Sequence, residues 1–70
     1  MTVEEIKARA IKAMQADLTD AYDALDYGDT ELYKKYRNRY YAKAEMYEAM
    51  FEGEYVYHKD NEVCVETEVE

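Results

Sequence analysis

The two glycines of this chain constrain its fold most, because the 70 residues contain no proline and no other glycine. Gly28 and Gly53 divide the sequence into segments of 27, 24 and 17 residues. The two longer segments repeat apolar residues with helical period, and glycine often supplies the left-handed residue that follows a helix. The sequence therefore predicts two helices that end near the glycines, followed by a short third segment.

Capping signals set the expected bounds of these helices. Thr2 and Glu5 have the spacing of a capping box, which predicts a first helix over residues 3–27. Asp29 is a natural N-cap for a second helix, predicted over residues 30–52.

The charge pattern favours an antiparallel pairing of the two helices. Residues 17–31 carry six acids and no base, whereas residues 32–43 carry five bases and no acid. A chain that turns at Gly28 brings these two blocks side by side, and opposite charges then favour that orientation. Further from the turn, the same register predicts that Lys7 meets Glu52.

The third segment changes to the alternating period of a β-strand. Its two ends are rich in β-branched and aromatic residues, and Asp60 and Asn61 between them tolerate turn geometry. We predict a β-hairpin over residues 54–69, which must pack on the helices or pair with another chain because an isolated hairpin is marginal in water. The predicted fold class is α+β and mostly α: one small domain of residues 1–70, with an antiparallel two-helix hairpin followed by a C-terminal β-hairpin.

Nine tyrosines, in a chain with one phenylalanine and no tryptophan, point to a binding surface. Tyrosine buries a large ring yet keeps a hydroxyl that needs water or a partner, so it concentrates at surfaces that are covered part of the time. The alternative is that the helical tyrosines form core alone, or that core and interface are one surface. The tyrosines that we predict to contact a partner are Tyr33, Tyr36, Tyr40, Tyr47, Tyr55 and Tyr57.

The surplus negative charge lies at the C-terminal end. The net charge is −8, of which residues 53–70 contribute −5 (six acids against Lys59) and residues 1–52 contribute −3. Carboxylates that alternate along a strand can occupy a groove meant for nucleic acid. The alternative is a solvated edge strand that its charge protects from aggregation. The acids predicted to contact a partner are Glu62, Glu66, Glu68 and Glu70.

The residue inventory is poor in catalytic chemistry. One histidine and two glycines cannot build a nucleophile–base pair or a glycine-rich phosphate loop, so we expect no enzyme. His58, Asp60 and Cys64 offer at most three metal ligands without zinc spacing, so we expect no metal and no other cofactor. A single cysteine and the absence of a long apolar run favour a cytoplasmic protein without a membrane span.

By analogy of class alone, the profile resembles the small acidic inhibitors that phages and mobile elements carry, including anti-CRISPR proteins that occupy nucleic-acid channels. The resemblance implies a protein-binding module in the host cytoplasm that blocks the nucleic-acid-binding surface of a basic partner. A second hypothesis is a structural homo-oligomer, most simply a dimer, whose tyrosine-rich helices form a bundle. A third is a nucleic-acid binder that uses residues 33–43, which the sequence pI of about 4.5 opposes.

Overall fold

The computed structural model describes residues 1–68 and contains two helices followed by a two-stranded antiparallel sheet. Helix α1 spans Val3–Asp26 and helix α2 spans Thr30–Met50, while strand β1 spans Glu54–Lys59 and strand β2 spans Glu62–Thr67. This architecture confirms the predicted α+β class, mostly α. Neither helix of the described chain combines the length and apolar character that a membrane span requires.

The helices begin at the predicted N-caps. The Thr2 hydroxyl accepts a hydrogen bond from the Glu5 N–H at 3.2 Å, and the Asp29 carboxylate accepts one from the Leu32 N–H at 3.0 Å. Each side chain satisfies a backbone donor that has no partner within its helix.

The helices end one and two residues before the predicted positions, because the chain leaves helical geometry ahead of each glycine. Gly28 has a φ angle of +79° and Gly53 one of +83°, a left-handed conformation that side chains with a Cβ resist. Gly28 reverses the chain between α1 and α2, and Gly53 leads from α2 into β1.

The hairpin has a single register, in which Val56 lies opposite Val65. Asp60 and Asn61 form its two-residue turn, and the φ angle of +55° at Asp60 is one that aspartate tolerates better than most residues. Strand β2 ends at residue 67. The predicted last residue of the hairpin, at position 69, and the predicted partner contact Glu70 lie outside the described residues.

The core lies between the two helices and the inner face of the hairpin. Strands β1 and β2 both pack on the helix pair, and their valines are partly buried against side chains from α1 and α2. Two tyrosines of the second helix, Tyr40 and Tyr47, therefore contribute to the protein's own core. The buried residues of this cluster are Met14, Leu18, Tyr40, Ala44 and Tyr47.

The charge blocks meet across the helix pair, though through fewer residues than the sequence predicts. The Asp17 side chain is only 6% exposed, and its carboxylate lies 2.6 Å from Lys43 Nζ and 3.6 Å from Arg39 Nε. Lys7 pairs with Glu54 of β1 and not with the predicted partner Glu52. The two-helix register omits the hairpin, which is the element that carries Glu54 over Lys7.

Candidate protein-binding surface

The hairpin has two chemically different faces, because successive residues of a strand point to opposite sides of the sheet. His58 is turned toward the helices and half-buried, whereas Tyr55 and Tyr57 on the same strand are 44% and 39% exposed. The register places Glu66 of β2 opposite Tyr55. We call the side turned away from the helices the outer face; it comprises Tyr55, Tyr57, Lys59, Glu62, Cys64 and Glu66.

Two tyrosines on the outer face hold one carboxylate. The Tyr55 hydroxyl donates to Glu66 Oε2 at 2.8 Å, and the Tyr57 hydroxyl donates to Glu66 Oε1 at 2.9 Å. The two rings lie 6.4 Å apart with an angle of 37° between their planes. We call these three residues the outer cluster. Its geometry fixes the position of the carboxylate while leaving both rings open to solvent.

Hydrogen bonding within the outer cluster changes the acidity of its members. The hydroxyls of Tyr55 and Tyr57 lower the pKa of Glu66, because they stabilise its charged form. The same carboxylate raises the pKa of Tyr57 to about 12 and also raises that of Tyr55. At neutral pH the cluster therefore carries one negative charge on Glu66 and two neutral tyrosines.

A second group of similar composition lies beneath the hairpin. The Tyr47 hydroxyl donates to Glu54 Oε1 at 2.8 Å, and Lys7 donates to Glu54 Oε2. We call Lys7, Tyr47 and Glu54 the inner cluster. Burial, followed by the bond to Glu54, raises the pKa of Tyr47 to about 12, while Lys7 first and Tyr47 second lower the pKa of Glu54. The charge of this carboxylate is balanced within the cluster.

Side chains from the helices hold the hairpin by its edges. Glu48 of α2 accepts a hydrogen bond from the Val56 N–H at 2.8 Å. Gln15 of α1 accepts from the Val63 N–H at 2.9 Å and donates to the Asn61 carbonyl at 2.7 Å. These bonds orient the sheet on the helix pair and so determine which side chains face outward.

The helical tyrosines predicted as partner contacts lie in a different environment. Tyr40 and Tyr47 are 1% and 2% exposed, so their rings pack on the chain's own core. Tyr33 and Tyr36 are half-buried, each with an arginine guanidinium over its ring at 5.3 Å and 5.6 Å. The structure does not bring these four tyrosines together with the outer cluster.

Three of the acids predicted as partner contacts lie along the outer face. Glu62 and Glu66 are exposed on β2, and Glu68 is exposed just after the strand, where its N–H donates to the Gly53 carbonyl. Of the predicted partner contacts, the structure thus brings together Tyr55, Tyr57, Glu62 and Glu66, with Glu68 extending the row.

The three residues considered for metal binding do not converge. His58 faces inward, where its ring lies 5.5 Å from the Tyr40 ring and 6.5 Å from the Tyr22 ring, whereas Cys64 is on the outer face. Within residues 1–68, no group of three potential ligands could hold a metal ion.

Sequence reasoning missed the helix residues that hold the hairpin, Gln15 and Glu48. Each is a polar residue next to apolar residues that repeat with helical period, which is the one signal the sequence offers. That signal does not specify which strand backbone the side chain meets.

Comparison of the chain with protein-family models, with curated proteins and with solved structures gave no match.

Proposed function

We propose that the protein is a non-enzymatic binding module whose outer hairpin face engages a basic surface of another protein. The observation that carries this proposal is the Glu66 carboxylate fixed between two exposed tyrosines. A carboxylate already held in place loses little rotamer freedom when a partner binds, and exposed tyrosines supply contact area at little entropic cost. An arginine can pair with the carboxylate and stack on a ring at the same site.

The charge of the outer face supports a basic partner. Among residues 1–68, no lysine or arginine forms an ion pair with Glu62, Glu66 or Glu68. Residues 53–70 carry −5 of the total −8, of which Glu54 is balanced by Lys7. Lys59 is the one base among the residues of the outer face, opposite Glu62, so the face keeps a surplus of negative charge. Such a surplus attracts positive charge over distances of about 8–10 Å at physiological salt and accelerates association.

The finer proposal is that the basic surface is one that binds nucleic acid, and that the protein blocks it. Same-face positions on a strand are about 6.8 Å apart, roughly twice the 3.4 Å axial step of one DNA strand. Glu66 and Glu68 have this separation, and Glu62 lies about twice as far from Glu66 because Cys64 stands between them. This spacing suits a row of cationic sites made for phosphates. The proposal includes the anti-CRISPR-like class, an inhibitor of phage or mobile-element origin that acts in the host cytoplasm.

A homo-oligomer is the second candidate, and one feature favours it. Met46 and Met50 are 65% and 61% exposed beside an apolar pocket of about 230 Å³ between α1 and α2. The tyrosines of the helices support this candidate less than the sequence predicts, because Tyr40 and Tyr47 are already covered within one chain. Sedimentation at micromolar concentration tests it directly, since a compact monomer excludes a bundle built on these residues.

Direct nucleic-acid binding through residues 33–43 has less support from the contacts. Arg39 and Lys43 neutralise the buried Asp17, and Arg37 stacks on Tyr33. These bases are engaged within the chain, which reduces the positive potential that nucleic-acid binding needs.

The proposed function is tested by capture from a lysate of the source cell, with mass spectrometry as the readout. The outer-face variant replaces Glu62, Glu66 and Glu68 with Gln. A matched control makes the same change of charge on the helices, with Asp23→Asn, Asp26→Asn and Glu45→Gln; all three positions are exposed. We expect a basic protein that the wild type and the control retain and the outer-face variant loses.

The captured partner then permits a kinetic test. The outer-face variant should associate more slowly with it and depend less on salt, and a nucleic-acid oligonucleotide should displace the wild type. Unchanged association kinetics in the outer-face variant contradict the proposed function. Failure of the oligonucleotide to compete contradicts only the nucleic-acid-mimic part.

A further inference from the structure

The backbone of β2 presents an open edge on the side away from β1. In an antiparallel ladder, residues alternate between those that bond the neighbouring strand and those whose backbone groups point away from it. The Val56 N–H bonds to Glu48 and the Val63 N–H bonds to Gln15, so these residues belong to the outward-pointing set. The register assigns Val65 and Thr67 of β2 to the same set.

Two residues of this edge have backbone groups free to pair. Gln15 occupies the edge at Val63, next to the turn. Within residues 1–68, no such bond is made by the outward N–H groups of Val65 and Thr67. Unpaired edge groups of this kind are a template for another strand.

A shallow cleft lies along the surface of α1 that carries Gln15. Its volume is about 810 Å³, and Gln15 connects it to the edge of β2 through the bond to Val63. The side chains that line it are mostly small or apolar, with one basic residue, Lys12, and one acidic residue, Asp20. A strand added to β2 would turn every second side chain toward α1, and this lining suits small apolar side chains better than basic ones. The cleft is lined by Ala8, Ile11, Lys12, Gln15, Ala16, Thr19 and Asp20.

The charges of β2 argue against a second copy of this chain as the added strand. Antiparallel self-pairing centred on Val65 would place Glu62 of each copy opposite Glu68 of the other. A shift by one two-residue step in either direction would place Glu66 opposite itself or opposite Glu62. Like charges directly opposite each other destabilise a strand pair. A strand with basic side chains on its outer face instead complements Glu62 and Glu66.

We infer that the free edge of β2 accepts an extended segment of the basic partner as a third, antiparallel strand. Basic side chains of that segment lie beside Glu62 and Glu66 on the outer face, and small apolar ones point toward α1. Main-chain hydrogen bonds to Val65 and Thr67 supply affinity, and the alternating side chains supply specificity. This inference rests on the proposed function, which it deepens by naming the conformation and pattern of the bound segment.

The test uses a synthetic peptide of about ten residues that alternates valine with lysine, a length within the range of natural strands. In antiparallel pairing the valines lie opposite Val65 and Thr67, so their amides donate to β2 while the lysine amides point away. N-methylation of the valine amides should therefore weaken binding at least about tenfold. N-methylation of the lysine amides, with identical charge and composition, should change it less than about threefold.

Two measurements on the protein locate the added strand. Amide hydrogen exchange at Val65 and Thr67 should slow at least about tenfold when the peptide is bound. Thr67→Pro removes an edge N–H that no hydrogen bond among residues 1–68 uses, and it should weaken binding of the peptide at least about tenfold. Thr67→Val keeps that N–H and is the matched control. Circular dichroism checks that both variants fold.

The outcomes separate this inference from the proposed function. Strand addition is overturned if methylation of the valine amides weakens peptide binding no more than methylation of the lysine amides does. It is also overturned if the bound peptide does not slow amide hydrogen exchange at Val65 and Thr67. If, in that case, the outer-face variant still fails to bind the valine-methylated and the lysine-methylated peptide, the proposed function survives. If that variant binds all peptides as the wild type does, the proposed function fails. A dimer paired through β2 in sedimentation and exchange measurements also overturns the choice of occupant.

Discussion

The inner and outer clusters both hold a glutamate by tyrosine hydroxyls, yet they differ in cover and in charge. In the inner cluster, Tyr47 is 2% exposed and Lys7 neutralises the carboxylate. In the outer cluster both tyrosines are exposed, and within residues 1–68 no base forms an ion pair with Glu66. The same residue types thus occur once within the packed structure and once on an exposed, charged face.

The comparison teaches that a tyrosine–glutamate pair has no fixed role. Burial of the ring and a local counter-charge make the inner cluster part of what stabilises the fold. Without either, the outer cluster contributes little to stability and keeps its charge and aromatic surface for a partner.

Removing a ring should separate the two clusters most strongly. Tyr47→Ala takes a buried aromatic ring from the core and should lower the free energy of unfolding by about 3–5 kcal/mol. Tyr55→Ala removes an exposed ring and should change it by only a small fraction of that amount. Urea unfolding followed by far-ultraviolet circular dichroism measures both. Similar losses in the two variants would mean that the outer cluster is structural.

The turn between the helices should matter to the inner cluster, because it places α1 so that Lys7 reaches Glu54. Gly28→Val puts a β-branched side chain at a φ angle of +79°, which should lower the free energy of unfolding by about 1–2 kcal/mol. Gly28→Asn is the matched control, since asparagine tolerates this region and, among residues 1–68, no atom beyond Gly28 and its two chain neighbours lies within 4 Å of the added Cβ. Equal stability of the valine variant and wild type would contradict the role assigned to the turn.

Acid should weaken the fold through the glutamates of both clusters. The folded-state pKa of Glu54 is held below the ordinary value of 4.5, chiefly by Lys7. A lowered pKa stabilises the fold above the unfolded-state value, and that contribution is lost as the pH falls through the folded-state value. We expect Glu54→Gln to flatten the acid side of the stability profile more than Glu66→Gln does. Urea unfolding at a series of acidic pH values measures this, and the reverse ranking would contradict the comparison.

Alkaline titration should show the smallest difference between the clusters. The pKa of Tyr47 and that of Tyr57 are both raised to about 12, so the contribution of each to stability, which is small for exposed Tyr57, is present below pH 10 and is lost as the pH rises toward 12. Glu66→Gln should move the pKa of Tyr57 back toward 10 and leave Tyr47 unchanged. Ultraviolet absorbance of tyrosinate, with Tyr57→Phe to assign the signal, measures the shift. An unshifted Tyr57 would show that Glu66 does not control its acidity.

The order and type of the elements follow from local features of the sequence. Thr2, Asp29 and the two glycines act on the backbone within a few residues, so the beginnings and ends of the helices are local properties. Alternation along residues 54–68 likewise sorts side chains onto two faces without reference to the rest of the chain. For this reason the α+β class and the acidic row of the outer face were predictable.

Which tyrosines are core and which are surface depends on how the helices and the hairpin pack together. Helical period places Tyr33 and Tyr47 on one stripe, but the hairpin and α1 cover Tyr47 fully and Tyr33 only in part. The pairing of Lys7 with Glu54, and the seating of the hairpin on Gln15, join residues more than forty positions apart. Such contacts depend on how the helices and the hairpin pack against one another, and no local spacing in the sequence encodes that packing.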